Sequence, residues 1–128
     1  MNGHNRLKYH LEINMEKMTR TKILDMAKDY VTNDRNLDNG DPEDNFGRIA
    51  ELWTFWFKEK YGIKFKITKT DVAMFSLMIK VARLLETETK EDNWVDIAGY
   101  AACGAETAWL EWAEATGINP DYKPEPWK

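Results

Sequence analysis

One segment limits the fold more than any other. Between Asp71 and Leu85 lie Val72, Ala73, Met74, Phe75, Leu77, Met78, Ile79, Val81, Ala82 and Leu84, interrupted only by Ser76, Lys80 and Arg83. The segment holds no glycine or proline, and Thr68 followed three residues later by Asp71 has the pattern of a capping box. The spacing predicts a helix from there to about Glu86. A helix that is apolar on every side is ordinarily the buried, central one of several. The expected fold is therefore mainly α, a four-helix bundle with this helix in the middle.

Three further segments supply the other helices. From about Met15 to Asn33, Ile23, Ala27, Tyr30 and Val31 fall on one face. The turn-rich string from Asn33 to Asp41 follows, and Asp41-Pro42 has the N-cap and N1 arrangement that opens a helix. That helix runs to about Tyr61 with Phe46, Ile49, Ala50, Trp53 and Phe57 as its core stripe, and Gly62 ends it. The last helix starts near Lys90 and ends at Thr116-Gly117. Two stretches alternate instead with period 2: Leu7, Tyr9, Leu11 and Ile13, then Ile63, Phe65 and Ile67. They predict a small two-stranded β ribbon lying against the helices. The domain organisation expected is one helical domain over 1–118, with 1–14 as an N-terminal strand or arm. Residues 119–128, rich in proline, form an extended or disordered tail.

Composition removes several classes of function. A net charge of −4 argues against an extended nucleic-acid surface, which needs excess lysine and arginine to displace counterions. The longest apolar runs fall short of the roughly 20 residues that span a bilayer. The single cysteine, Cys103, excludes an internal disulfide and fits a reducing compartment. With only His4 and His10 to join it, it makes no zinc or iron–sulfur site.

Polar residues in apolar settings mark the candidate site. Ser76, Lys80 and Arg83 form one narrow stripe on the apolar helix. Such a stripe is either a solvent edge or a pair of cations facing a cleft, where phosphate would neutralise them. On the last helix, Trp94, Ile97, Ala98, Ala101, Ala105, Ala108, Trp109 and Trp112 share one face, and Asp92, Asp96, Gly99 and Cys103 share the opposite one. Small residues on that second face predict the close approach of another backbone, such as a second subunit's. Asp92 and Asp96, one turn apart, can share a divalent cation, so removing one would relieve repulsion and cost no stability without metal. The alternative for Asp92 is simple compensation of the helix dipole. Asn45 leads the row Asn45, Ile49, Leu52, Trp56 and is expected to face inward, with Arg35 in the preceding turn able to reach the same place.

These residues also carry a resemblance. Asp34-Arg35-Asn36, Gly40-Asp41-Pro42-Glu43-Asp44-Asn45-Phe46 and Ile49-Ala50-x-Leu52-Trp53 resemble a family of small proteins encoded by bacteriophages and prophages. The likeness continues through Ile67-Thr68, Asp71-Val72-Ala73, Lys80-Val81-Ala82-Arg83 and Asp92-x-x-x-Asp96-Ile97-Ala98-Gly99-Tyr100, covering about residues 20 to 106. This chain has Asn39 where the family has a tyrosine. The architecture is similar to the MazG-like all-α nucleoside triphosphate pyrophosphohydrolases, which hold Mg²⁺ with acidic residues on two helices and assemble as oligomers. Their acidic pattern is met here by Asp41-x-x-Asp44 with Asn93-x-x-Asp96, or with Asp92-x-x-x-Asp96, and is short of a carboxylate.

The resemblance implies a Mg²⁺-dependent nucleotide pyrophosphohydrolase in the cytoplasm of an infected or lysogenic bacterium. Asp44 and Asp96 would be catalytic, with Glu43 and Asp92 completing the metal set. Arg35, Asn45, Lys80 and Arg83 would bind the nucleotide. The alternatives are a non-catalytic phage protein that binds a nucleotide or a host protein, and a purely structural scaffold. Six tryptophans, more aromatic surface than four helices cover, predict a homodimer or higher homo-oligomer and no membrane partner.

Overall fold

The computed structural model describes residues 16–32 and 42–121. Four helices appear in order: α1 (Arg20–Thr32), α2 (Pro42–Tyr61), α3 (Lys69–Leu84) and α4 (Glu91–Thr116). Their ends follow local chemistry. The Thr68 hydroxyl accepts from the Asp71 N–H while the Asp71 carboxylate accepts from the Thr68 N–H, the reciprocal cap that fixes the start of α3. Gly62 and Gly117 adopt positive φ, 67° and 72°, where a side chain would be strained, and each stops its helix.

The 26-residue α4 is the hub. It packs along α3 most extensively and also carries α1, whereas α2 packs chiefly on α3. Two glycines of α4 allow these close approaches. A β-carbon on Gly104 would lie 3.2 Å from the Ala73 side chain on α3, and one on Gly99 would lie 3.2 Å from the Val31 side chain on α1. The backbone that Gly99 admits is thus this chain's own α1. Val72 and Val95 are fully enclosed, each contributing about 2 kcal/mol by burial. Phe46, Ala50, Ile67 and Ala73 complete that core around Val72, with Ile49, Trp53, Phe57, Tyr100 and Cys103 packed against it. The core stripe expected for α2 is therefore present.

Four expectations need correction. Residues 63–67 form no strand, and there is none among the described residues; the partner stretch 7–13 lies outside them. The physical reason is visible at Ile67, whose side chain is buried and whose N–H donates to the Thr54 hydroxyl at 2.9 Å instead of to a ladder. Second, α3 is not enclosed. Val72, Ala73 and Leu84 are buried, but Met74, Phe75, Met78, Ile79, Val81 and Leu85 are exposed on the side away from α4. Third, the close approach expected at the small-residue face of α4 is made by this chain's own α1 and α3, with no second subunit required, and α4 turns that face inward. Trp94, Trp109 and Trp112 lie exposed on its outer face, and the Asp96–Gly99 side is turned into the protein. Fourth, the row led by Asn45 runs outward, since Leu52 and Trp56 are more than half exposed. Asn45 itself is half-buried.

Candidate functional site

Two polar layers cross the seam between α3 and α4. At the start of α3 the Thr70 hydroxyl lies 2.9 Å from that of Thr107 and donates to the Glu111 carboxylate at 2.8 Å. Glu111 also accepts from the Thr70 N–H at 3.4 Å, at the helix end where a negative charge is favoured. Thr107 can donate to the Gly104 carbonyl at 3.1 Å. Every group in this layer has a partner.

The second layer lies about three turns along α3. The Lys80 ammonium meets the Asp96 carboxylate at 2.8 Å, with only 16% and 12% of the two side chains exposed. The pairing follows from the backbone: α3 and α4 are sequential, antiparallel neighbours, and Lys80 and Ala73 share the α3 face turned to α4. Asn93 sits one turn before Asp96, 7% exposed, and its side-chain amide has no hydrogen-bond partner among the described residues. A buried amide without partners costs about 1–3 kcal/mol, so its retention calls for a reason. Arg83 and Asp92 are exposed, each about one turn from the ion pair on its own helix. The Lys90 N-cap makes no side-chain bond, and in the first turn of α4 the Asn93 N–H donates to the Lys90 carbonyl at 3.1 Å.

The other residues singled out from the sequence are placed as follows. Glu43 accepts from Lys69 at 3.0 Å, and the hydrogen bond to Glu43 is the main cause holding the Lys69 ammonium pKa above its ordinary value. Asp44 is exposed on α2. Arg35 lies outside the described residues. The structure thus joins Lys80 to Asp96 and leaves Glu43 in a separate pair. Among the described residues no group of three or more acidic, histidine or cysteine side chains is placed to hold a metal ion. Pairing with Lys80 also changes what Asp96 does: removing its charge would strand a buried cation, so the expected absence of a stability cost is not supported by this geometry. Asn93 was missed as a site residue because the pattern read on α4 grouped Asp92 with Asp96. The signal available was its spacing, three residues before Asp96 and on the side turned to α3.

A concavity of about 370 Å³ lies apart from the Lys80–Asp96 layer, between α1, the start of α2 and α4. Leu24, Ala27, Val31, Ala98 and Ala102 give it a mainly apolar wall. Near it, Lys22 bridges Glu91 at 3.0 Å and Glu16 at 3.2 Å. Those bonds, Glu91's first, raise the Lys22 pKa.

The described residues thus form an all-helical arrangement with a mostly buried cation–carboxylate pair between α3 and α4. Residues 22–108 match the family described as Domain of unknown function (DUF6378), and the chain belongs to that family. It is 40% identical over 79 residues to the Gene 55 protein of Mycobacterium phage L5, covering 62% of this chain and 47% of that protein. It is 33% identical over 81 residues to the Gene 55 protein of Mycobacterium phage D29, covering 63% and 50%. The chain therefore spans about half the length of these curated relatives. The matches support a phage-encoded family. No solved structure matches the chain. No described helix is long and apolar enough to cross a membrane.

Proposed function

We propose that this is a nucleotide-directed phage protein that takes the phosphate groups of a nucleotide at the Lys80–Asp96 layer. The observation that carries the reading is the mostly buried ion pair beside the Asn93 amide, which has no hydrogen-bond partner among the described residues. A buried pair of this kind contributes little net stability, because desolvating two charges offsets their attraction. An amide left without bonds contributes less than nothing. Together they describe a layer with binding capacity to spare.

Lys80 has a long, flexible stem and can exchange Asp96 for phosphate oxygens without moving its helix. Arg83, on the rim, can take a second phosphate in fork geometry. Asn93 offers both donor and acceptor to a sugar or base edge. Asp92 and Asp96 are the nearest carboxylate pair for Mg²⁺, which enters this reading as the counter-ion of the nucleotide. Pyrophosphate release, with Asp44 and Asp96 as catalytic groups and Glu43 and Asp92 as further ligands, rests on the MazG-like resemblance alone. Arg35 and Asn45 would bind nucleotide in that extension. The engagement of Glu43 with Lys69 and of Asp96 with Lys80 favours binding over hydrolysis. Assembly as a homo-oligomer also belongs to this reading.

The test is a set of thermal melts with deoxynucleoside triphosphates, with and without Mg²⁺, alongside assays of pyrophosphate release. At least one nucleotide should raise the melting temperature of the wild type and leave Lys80→Met unmoved. Pyrophosphate release would extend the reading to hydrolysis. A panel in which no nucleotide shifts the melt would sink it and leave a protein-binding or scaffold role.

A further inference from the structure

Among the described residues, the outward side of α3 is an apolar face left largely uncovered. At 100° per residue, Met74, Phe75, Met78, Ile79, Val81, Ala82 and Leu85 cover an arc of about 160°, on which the one charged residue of the helix is Asp71 at its N-terminal end. The exposure of its large side chains runs from 37% at Phe75 to 85% at Leu85. Trp53 of α2 rests against Phe75, ring centroids 5.6 Å apart, which sets the exposed Leu52 and Trp56 beside this face. Lys60, 5.1 Å over the Trp56 ring, gives it a charged rim.

We infer that this face is covered by the same face of a second copy, α3 lying against α3 across a two-fold axis. The inference rests on the reading that the chain self-associates and names the surface. Three observations favour this occupant. Exposed to these fractions, the α3 side chains together with Leu52 and Trp56 of α2 leave on the order of 800 Å² of apolar surface, comparable to the ~800 Å² per partner of a stable interface. Beyond Asp71 at its N-terminal end the face carries no charge, so its middle offers no electrostatic reason to choose a different protein and matches itself. Met78 and Ala82 lie at its centre, and the small Ala82 lets two helices cross closely. The exposed tryptophan face of α4 is partly fastened within the chain, since the Trp94 indole N–H donates to the Glu88 carbonyl and that of Trp109 to the Pro120 carbonyl.

The experiment combines sedimentation at tens of micromolar with cross-linking of the full chain. Wild type should sediment at twice its 15.0 kDa mass. Met78→Glu should be monomeric with an unchanged helical spectrum, and Ala105→Glu, on the outer face of α4, should stay dimeric. In a Cys103→Ser background, Met78→Cys should form a self-cross-linked dimer on oxidation, a readout that survives even if Met78→Glu fails to fold. A monomeric wild type would overturn self-association itself. A dimer that resists Met78→Glu, or yields to Ala105→Glu, would overturn only the surface. A dimer that Met78→Glu breaks but Met78→Cys cannot cross-link would overturn the two-fold pairing of α3.

Discussion

The two polar layers of the α3–α4 seam use similar materials to different ends. Thr70, Thr107 and Glu111 saturate one another and the start of α3. Lys80 and Asp96 form a single pair, and the Asn93 amide beside them has no hydrogen-bond partner among the described residues. The first layer is closed and fixes how the helices sit. The second keeps unused donors and acceptors at a cost in stability, as expected of a site kept for a ligand. A folded chain can afford one such layer because the other, with the Val72 core, holds the register.

The largest effect should come from breaking the second layer on one side only. Asp96→Leu strands the Lys80 ammonium and should cost about 3 kcal/mol in denaturant unfolding, while Lys80→Met with Asp96→Leu should return close to wild type. A double variant as unstable as the single one would show the pair to be a structural clasp. Next comes the shared backbone contact between the layers. Gly104→Val drives a branched side chain into Ala73, 3.2 Å from where its β-carbon must lie, and should cost about 2 kcal/mol by the same measurement. A third comparison sets one polar group from each layer side by side. Thr107→Val removes satisfied bonds and should destabilise by about 1 kcal/mol, whereas Asn93→Leu removes an amide without partners and should stabilise by about 1 kcal/mol. Loss of stability in Asn93→Leu equal to that in Thr107→Val would erase the distinction.

The smallest effect is a pH dependence outside both layers. The raised pKa of Lys69, caused first by its bond to Glu43, makes that pair's contribution full below the ordinary lysine value of 10.5. It is lost as pH rises through the higher folded value. The pair is about one-third exposed, so Lys69→Met should flatten the alkaline side of the stability profile by only about 0.5 kcal/mol. An unchanged profile would mean the pair contributes nothing.

Local signals made much of the fold legible. The Thr68–Asp71 box, Pro42, Gly62 and Gly117 each fixed a helix end to within a residue or two, because caps and stops are decided by neighbours in sequence. What periodicity could not decide was which side of an apolar helix its own chain covers. α3 carries more apolar surface than its neighbours in the chain cover, so a pattern that reads as central becomes in part an outer face. The alternation at Ile63, Phe65 and Ile67 misled for a related reason: Ile67 anchors a connection whose N–H is taken by Thr54. Of the candidate site, the pairing of Lys80 with Asp96 was foreseeable from adjacent helices and their inward stripes. Asn93 surfaced only through its spacing in Asn93-x-x-Asp96, since the burial of its amide is set by packing that no sequence pattern displays.

Calorimetric titration of deoxynucleoside triphosphates into wild type and into the Lys80→Met, Asp96→Leu double variant bears most directly on the second layer as a ligand site. The variant keeps the shape of the seam and removes its charges, so folding and binding are separated. Wild type should bind at least one nucleotide, and the variant should bind it about 100-fold more weakly, the equivalent of losing charge-assisted bonds to phosphate. Equal affinity in the two proteins, or no heat of binding from any nucleotide with wild type, would contradict the assignment.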